Sequence, residues 1–426
     1  MPGDTTDATR TEVEPTPGND PYQAFRYRDY RLLFLGTFME SMGSQMVNVA
    51  IGWELYERTG SALALGLVGL VQVLPVILLS LPAGHLVDRV NRRKIVVVTQ
   101  VVLALMGLGL TALSYSHGPI VLMYGCISIM GIAIAFNSPA VSTLLPQTVP
   151  VQSYESAATW SSSAWQLASV LGPALGGLLI AFTHSASPVY AINAFCALTF
   201  LVLVLLLRKQ PRVQLTTADG EKVRISFLEG VKFLWQTKII LAAITLDLFA
   251  VLLGGATTLL PIFAKDILHV GPSGLGWLRA APSVGAICVS IGLAYLPRFK
   301  KAGMVLLLAV AGFGAATIIF GVSRSFWLSL LMLFLLGSFD NVSVVIRSTL
   351  LLTRTPDALR RRISAVNSLF IGASNELGGF ESGLAAQLFG PVLAVAAGGV
   401  GTILVVLCVA LLWPEMRRLG RVSDLP

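Results

Sequence analysis

The sequence predicts an all-α integral membrane protein of twelve transmembrane helices, arranged as two pseudo-symmetric six-helix halves. Composition is the first reason: 55% of the 426 residues are hydrophobic and 12% are charged, against roughly 25% charged in a soluble domain. Apolar run length is the second. A helix rising about 1.5 Å per residue needs about 20 apolar residues to cross the hydrocarbon core, and the chain divides into twelve such runs. The third is charge placement. Of the 30 lysines and arginines, 24 fall near the two ends and in alternate loops, whereas Arg58, Lys265 and Arg324 occupy the intervening loops. Positive residues in short loops stay cytoplasmic, so both termini are expected inside and the number of crossings is even.

Residues 1–24 are rich in Thr, Pro, Asp and Glu and carry no apolar h-region, which predicts a disordered cytoplasmic tail; the first span then acts as the insertion signal. The N-terminal half, 25–207, holds the runs 32–56, 62–87, 95–115, 119–144, 157–182 and 188–207. A cytoplasmic linker follows at 208–238. Within it, Ser226 and Glu229 form a capping box opening an amphipathic helix over 226–238, with Phe227, Val231, Phe233, Leu234 and Trp235 as its apolar side. The C-terminal half, 239–413, holds the runs 239–264, 274–297, 303–323, 326–352, 363–388 and 391–413, and a cytoplasmic tail, 414–426, closes the chain. The halves echo each other at an offset of about 207: Glu40 answers Asp247 and Pro75 answers Pro282.

Several functions are excluded at this level. The net charge of +8 is spread over separate loops and ends rather than gathered in one patch, which speaks for topology and against nucleic acid. Cys126, Cys196, Cys288 and Cys408 lie in different apolar runs without paired spacing, so neither zinc nor a disulfide framework is expected. No G-x-x-x-x-G-K-[ST] occurs, and the histidines at 85, 117, 184 and 269 sit near loops with no nucleophile and base to join. Neither an enzyme nor a cofactor is predicted.

Two motifs carry the functional signal. Between the second and third runs stands Gly84-His-Leu-Val-Asp88-Arg89-Val-Asn-Arg92-Arg93-Lys94. In the fifth run stands Ala168-Ser-Val-Leu-Gly172-Pro173-Ala-Leu-Gly176-Gly177, where glycines thin the helix for close packing and Pro173 removes a backbone donor. The first resembles the signature loop of the major facilitator superfamily, and the second is similar to that superfamily's antiporter motif. With Phe136-Asn-Ser-Pro139-Ala and the stretch Arg354 to Asn367, they resemble the bacterial branch of enterobactin exporters and macrolide or multidrug efflux proteins.

The resemblance implies a secondary transporter of the bacterial inner membrane, exporting a small amphiphilic molecule, drug-like or a siderophore, in exchange for protons. It implies that Gly84, Asp88, Arg89, Arg92 and Arg93 form a cytoplasmic gate and that Gly172, Pro173, Gly176 and Gly177 form a helix-bend motif. Asn91 stands where the superfamily usually has glycine, and asparagine tolerates the left-handed conformation. The fourth run lacks the arginine that many proton-coupled relatives carry. Uptake or facilitated diffusion of a nutrient and a lysophospholipid flippase with an apolar side opening are the alternatives. The expected partners are a small-molecule substrate, protons and the lipid bilayer, with the chain acting as a monomer.

Ionisable residues inside the bilayer cost at least about 2.5–3.5 kcal/mol at a helix centre and therefore mark cavities or partners. Glu40 opens a polar stripe with Ser44 and Asn48, and is the first choice for a proton or cation site; Asp247 holds the matching place in the second half. Asp340 and Arg347 share a face seven residues apart. Asn367, Ser374 and Glu381 share one stripe, from which Glu376 projects about 140° away, so Glu381 is expected in the cavity and Glu376 against a neighbouring helix. Arg279 is expected to snorkel to the interface, and Trp160, Trp165 and Gln166 to offer packing, anchoring or an aromatic surface for cargo.

Overall fold

The structure, a computed structural model, describes residues 20–208, 237–295, 301–355, 357–418 and 420. The tail before residue 20, the linker helix expected at 226–238 (all but its last two residues) and the basic loop 296–300 lie outside the described residues. The described chain is helical, and twelve long helices run in order: α1 Arg28–Thr59, α2 Ala62–Arg89, α3 Arg92–Tyr115, α4 Ile120–Leu144, α5 Tyr154–Thr183, α6 Ser187–Leu205, α7 Lys238–Leu253, α8 Gly271–Tyr295, α9 Ala302–Val322, α10 Phe326–Arg354, α11 Asp357–Phe389 and α12 Pro391–Leu412. A short α13, Pro414–Arg418, follows. Ten of the spans meet the membrane requirement by length and hydropathy. The other two, α1 and α11, carry the polar stripes and are held by packing, α1 on α5 and α6 and α11 on α2.

The turns are short and chemically specified. At Gly60, α1 ends in the left-handed conformation, and the Ser61 hydroxyl caps α2 by accepting from the Ala64 N–H. Three of the four histidines, His117, His184 and His269, also take positive φ in loops at this same end of the bundle, away from the termini. Asn91 differs from expectation: its backbone is extended, with φ −64°, and its side chain accepts from the Arg93 N–H at 3.0 Å to cap α3. It replaces glycine as a helix cap, not as a left-handed residue.

The seventh run also differs. Instead of one helix across 239–264, α7 stops at Leu253, and a 3-10 turn Ala256–Leu259, one helical turn Leu260–Ile262 and a π turn Phe263–Ile267 complete the crossing. Gly254 and Gly255 explain the break. A Cβ on Gly254 would lie 2.6 Å from the Phe313 ring, and one on Gly255 would lie 2.5 Å from the Gly378 carbonyl oxygen, so only glycine admits α9 and α11 this closely. Irregular backbone at this depth is tolerated because protein, not lipid, surrounds it.

Packing repeats between the halves. Within the first, α1 packs on α5 and α6, α2 on α4, and α3 on α4 and α6; within the second, α7 packs on α11 and α12, α8 on α10, and α9 on α10 and α12. Each contact recurs six helices later. The halves meet through two crossed pairs, α2 with α11 and α5 with α8. Glycines set both approaches: a Cβ on Gly66 would lie 3.2 Å from the Gly383 Cα, and one on Gly177 would lie 2.8 Å from the Gly276 Cα. In the same motif, Gly172 and Gly176 sit against Gln45 and Met46 of α1. Both seams lie toward the end away from the termini.

Gly177→Val therefore places two methyl groups where the α8 backbone already stands. It is expected to destabilise the protein by about 1–3 kcal/mol. Thermal unfolding of the detergent-purified protein measures this, with Gly125→Val, where a Cβ meets nothing within 4 Å, as the tolerated control.

Candidate functional site

Each half carries one polar knot linking its first helix to its fourth. In the N-terminal half the knot is Glu40, whose Oε1 accepts from Gln100 Nε2 of α3 at 2.8 Å and from Asn137 Nδ2 of α4 at 2.8 Å. Thr99 Oγ1 lies 3.0 Å from Asn137 Oδ1 as its donor. Gln100, Asn137 and Thr99 are buried, and Glu40 is half-buried. Its charge is met by neutral amide donors. Further along the expected stripe, Asn48 Nδ2 donates to Gln45 Oε1 at 3.4 Å, and Gln45 Nε2 donates to Ser169 Oγ of α5 at 3.1 Å. Ser44 is half-buried.

In the C-terminal half the knot is an ion pair. Asp247 of α7 bonds Arg347 of α10, and the two are 6% and 5% exposed, which makes this a fully desolvated pair. Arg347 thus takes its partner from α7, with Asp340 of its own face close by. Asp247, Asp340 and Ser343 line one small cavity with Phe313 and Phe339. Glu40, half-buried, and Asp247, buried, occupy corresponding places, each bonded within its own half.

On α11 the two glutamates separate as their spacing requires. Glu376 turns to α2, its carboxylate over Gly69, and is the opposite charge acting on Arg279 of α8. Glu381 is exposed, on the flank that also carries exposed Leu377, Leu384 and Leu388. Arg279 is half-buried beside the Glu376 charge. Trp160 anchors the N-terminal segment: its Nε1 donates to the Pro21 carbonyl at 2.8 Å, and its ring meets Phe25 at 5.2 Å. Trp165 is exposed and Gln166 half-buried.

At the hinge, a Cβ on Gly84 would meet nothing within 4 Å, so the helices are not in close approach there in this conformation. Arg93 caps α6 instead of crossing to the other half: its Nε donates to the Val204 carbonyl at 3.0 Å and its Nη2 to the Leu205 carbonyl at 2.5 Å. Arg89 is exposed, Arg92 is half-buried, and the Asp88 side chain lies outside the described residues. At the opposite end the halves are also joined by polar contacts. The Tyr56 hydroxyl donates to Asp266, the Lys265 ammonium stands 5.6 Å from the Tyr56 ring, and Gln387 Oε1 accepts from Ser61 Oγ at 3.1 Å.

The sequence reading followed charged residues and the stripes beside them; it gave no role to Gln100 or Gln45 and met Asn137 only within the Phe136-Asn-Ser-Pro139-Ala match. Amides inside apolar runs were the available signal for them. Tyr56 and Asp266 lie 210 residues apart and had none.

A family model described as transmembrane secretion effector matches residues 19–422. The chain belongs to this family of the major facilitator superfamily. It is 25% identical over 404 residues to the multidrug efflux pump Tap of Mycolicibacterium fortuitum, covering 92% of this chain and 97% of Tap. It is 24% identical over 398 residues to the enterobactin exporter EntS of Citrobacter koseri, covering 93% and 94%. Among solved structures it resembles a POT family transporter bound to a thioalcohol-conjugated peptide, with TM-score 0.73, 12% identity and 91% and 96% coverage. It also resembles a bacterial homologue of the human lysosomal transporter Spinster in an inward-facing, unoccupied conformation, with TM-score 0.71, 16% identity and 94% and 98% coverage. These structural likenesses concern the fold. The protein is a multi-pass membrane transporter.

The two knots differ in what their loss should cost. Glu40→Leu strands the Gln100 and Asn137 amides and is expected to cost about 1–3 kcal/mol for each one left unpaired, whereas Glu40→Gln keeps a carbonyl acceptor and costs less. Arg347→Met leaves a buried carboxylate without its counter-charge and should cost about 3–5 kcal/mol, partly recovered by adding Asp247→Asn. Thermal unfolding of the four purified variants checks both orders.

Proposed function

We propose that the chain is a proton-coupled exporter of a small amphiphilic molecule, working by alternating access in the bacterial inner membrane. The observation that carries this is the asymmetry of the contact between halves. Glycine seams and the Tyr56–Asp266 bond join the halves at one end, while further along the same α2 and α11 a Cβ on Gly84 or on Gly372 would meet nothing within 4 Å. Positive residues concentrate at that far end with the termini, and the charge rule makes it cytoplasmic. Cargo enters from the cytoplasm.

Rocking of the N-terminal half, 25–207, against the C-terminal half, 239–413, about a midplane site then parts the seams and closes the hinge end, where Gly84, Asp88, Arg89 and Arg92 meet the other half. Glu40 is the coupling group. Its carboxylate is held by neutral donors, so a proton or a cationic cargo competes for an uncompensated charge. The relatives that export a siderophore or several drugs support the direction. The protein acts as a monomer.

A flank groove favours a second substrate, a lysophospholipid. A cavity of about 600 Å³ opens between α8, α9 and α10, lined by Cys288, Val289, Leu293, Leu308, Phe334 and Val342, and its apolar wall suits an acyl chain.

The test is accumulation of cationic dyes, a ferric chelator and a fluorescent lysophospholipid in a transporter-deficient bacterial host. Cells expressing the chain should retain severalfold less of at least one dye or chelator than empty cells. The difference should vanish with Glu40→Gln or a protonophore. Equal retention of every dye and chelator, with faster lysophospholipid movement, would transfer the assignment to the lipid.

A further inference from the structure

The C-terminal knot does not balance its charge. Asp247 and Asp340 present two carboxylates, and Arg347 is the one cation that faces them among the described residues. Apart from Ser343, the rest of the lining is apolar: Ala250 and Val251 from α7, Val310 and Phe313 from α9, and Phe339 from α10. Asn341 of α10 turns away toward α8, its Nδ2 donating to the Ala286 carbonyl at 3.1 Å and to Ser290 Oγ at 2.9 Å. One negative charge is left over on half-buried Asp340 beside a small, mostly apolar pocket, which is costly unless something positive joins it.

The pocket also holds an unused ligand atom. Ser343 is 2% exposed, lines the cavity, and its Oγ has no hydrogen-bond partner. It stands three residues after Asp340 and four before Arg347, so all three share one helix face. The cavity is about the size of one water. That excludes an organic cation, and a divalent ion would leave the site with an excess positive charge.

We propose that this pocket is a cation site of the C-terminal half, holding one monovalent positive charge, a proton or a sodium ion, between Asp340, Asp247 and Ser343 Oγ. It is separate from Glu40 and from cargo. A proton resides on a carboxylate; sodium takes oxygens from both carboxylates and the serine. Filling the site leaves the Asp247–Arg347 bond between α7 and α10 undisturbed and neutralises Asp340.

The full chain in lipid nanodiscs, without cargo, decides the matter. Thermal unfolding is followed in sodium chloride and in choline chloride at equal ionic strength, together with the infrared band of neutral carboxyl groups near neutral pH. With sodium as occupant, the midpoint temperature rises and saturates with sodium but not choline, and Ser343→Ala shifts the half-saturating concentration about tenfold upward. With a proton as occupant, sodium has no effect and Asp340→Asn removes part of the neutral carboxyl band. Should Asp340→Asn fail to fold, Asp247→Asn serves: Arg347 then balances Asp340 alone, and both signatures should disappear. Indifference to sodium together with an unchanged carboxyl band in the folded variant overturns the proposal. Neither readout involves transport, so export through Glu40 stands or falls separately.

Discussion

Two helix pairs that touch through glycine hold the halves together, and much of the molecule is arranged around that contact. Lipid tails are as apolar as leucine, so helices in a bilayer gain little by burying apolar side chains and much by close backbone approach. Gly66 with Gly383 and Gly177 with Gly276 provide it. Such a seam is tight yet carries few hydrogen bonds, so it can part without stranding buried polar groups. The polar contacts beside it, Tyr56 with Asp266 and Ser61 with Gln387, sit near the mouth where water can replace them. The broken seventh crossing belongs to the same design, since Gly254 and Gly255 let α9 and α11 crowd the chain just below the seam.

The two midplane knots solve one problem with different chemistry. Both join the first helix of a half to its fourth. Glu40 is ligated by amides, which orient a carboxylate without cancelling its charge. Asp247 is ligated by a guanidinium, which cancels it and fixes α7 to α10. A desolvated carboxylate with neutral donors responds to any nearby cation, whereas one paired with arginine is largely committed. The halves are alike in architecture and unlike in electrostatics.

Helix number and order were legible in composition and run length, because the bilayer imposes those patterns on any chain that crosses it. Details that depend on neighbours were not. Hydropathy across 239–264 is continuous, and only the proximity of Phe313 and Gly378 shows why the helix must break. Helical spacing separated Glu376 from Glu381, yet which of them turns to the other half was settled by Gly69 of α2, far away in sequence. Arg347 shares a face with Asp340 in the sequence, and its bonded partner, Asp247, lies 100 residues upstream. Asn91 was legible as a glycine substitute; its use as a cap for α3 follows from extended backbone that the residue type alone does not specify.

The weak internal echo of the sequence has a physical explanation in this contrast. Contacts between helices recur six helices on because helix crossings depend on small residues and shape, which many sequences satisfy. Side chains at the knots face a different demand, since each carboxylate must find a donor, and either an amide or a guanidinium can serve. The offset that aligns Glu40 with Asp247 preserves position and acidity, while the partners on the fourth helices, Asn137 and Arg347, carry the asymmetry.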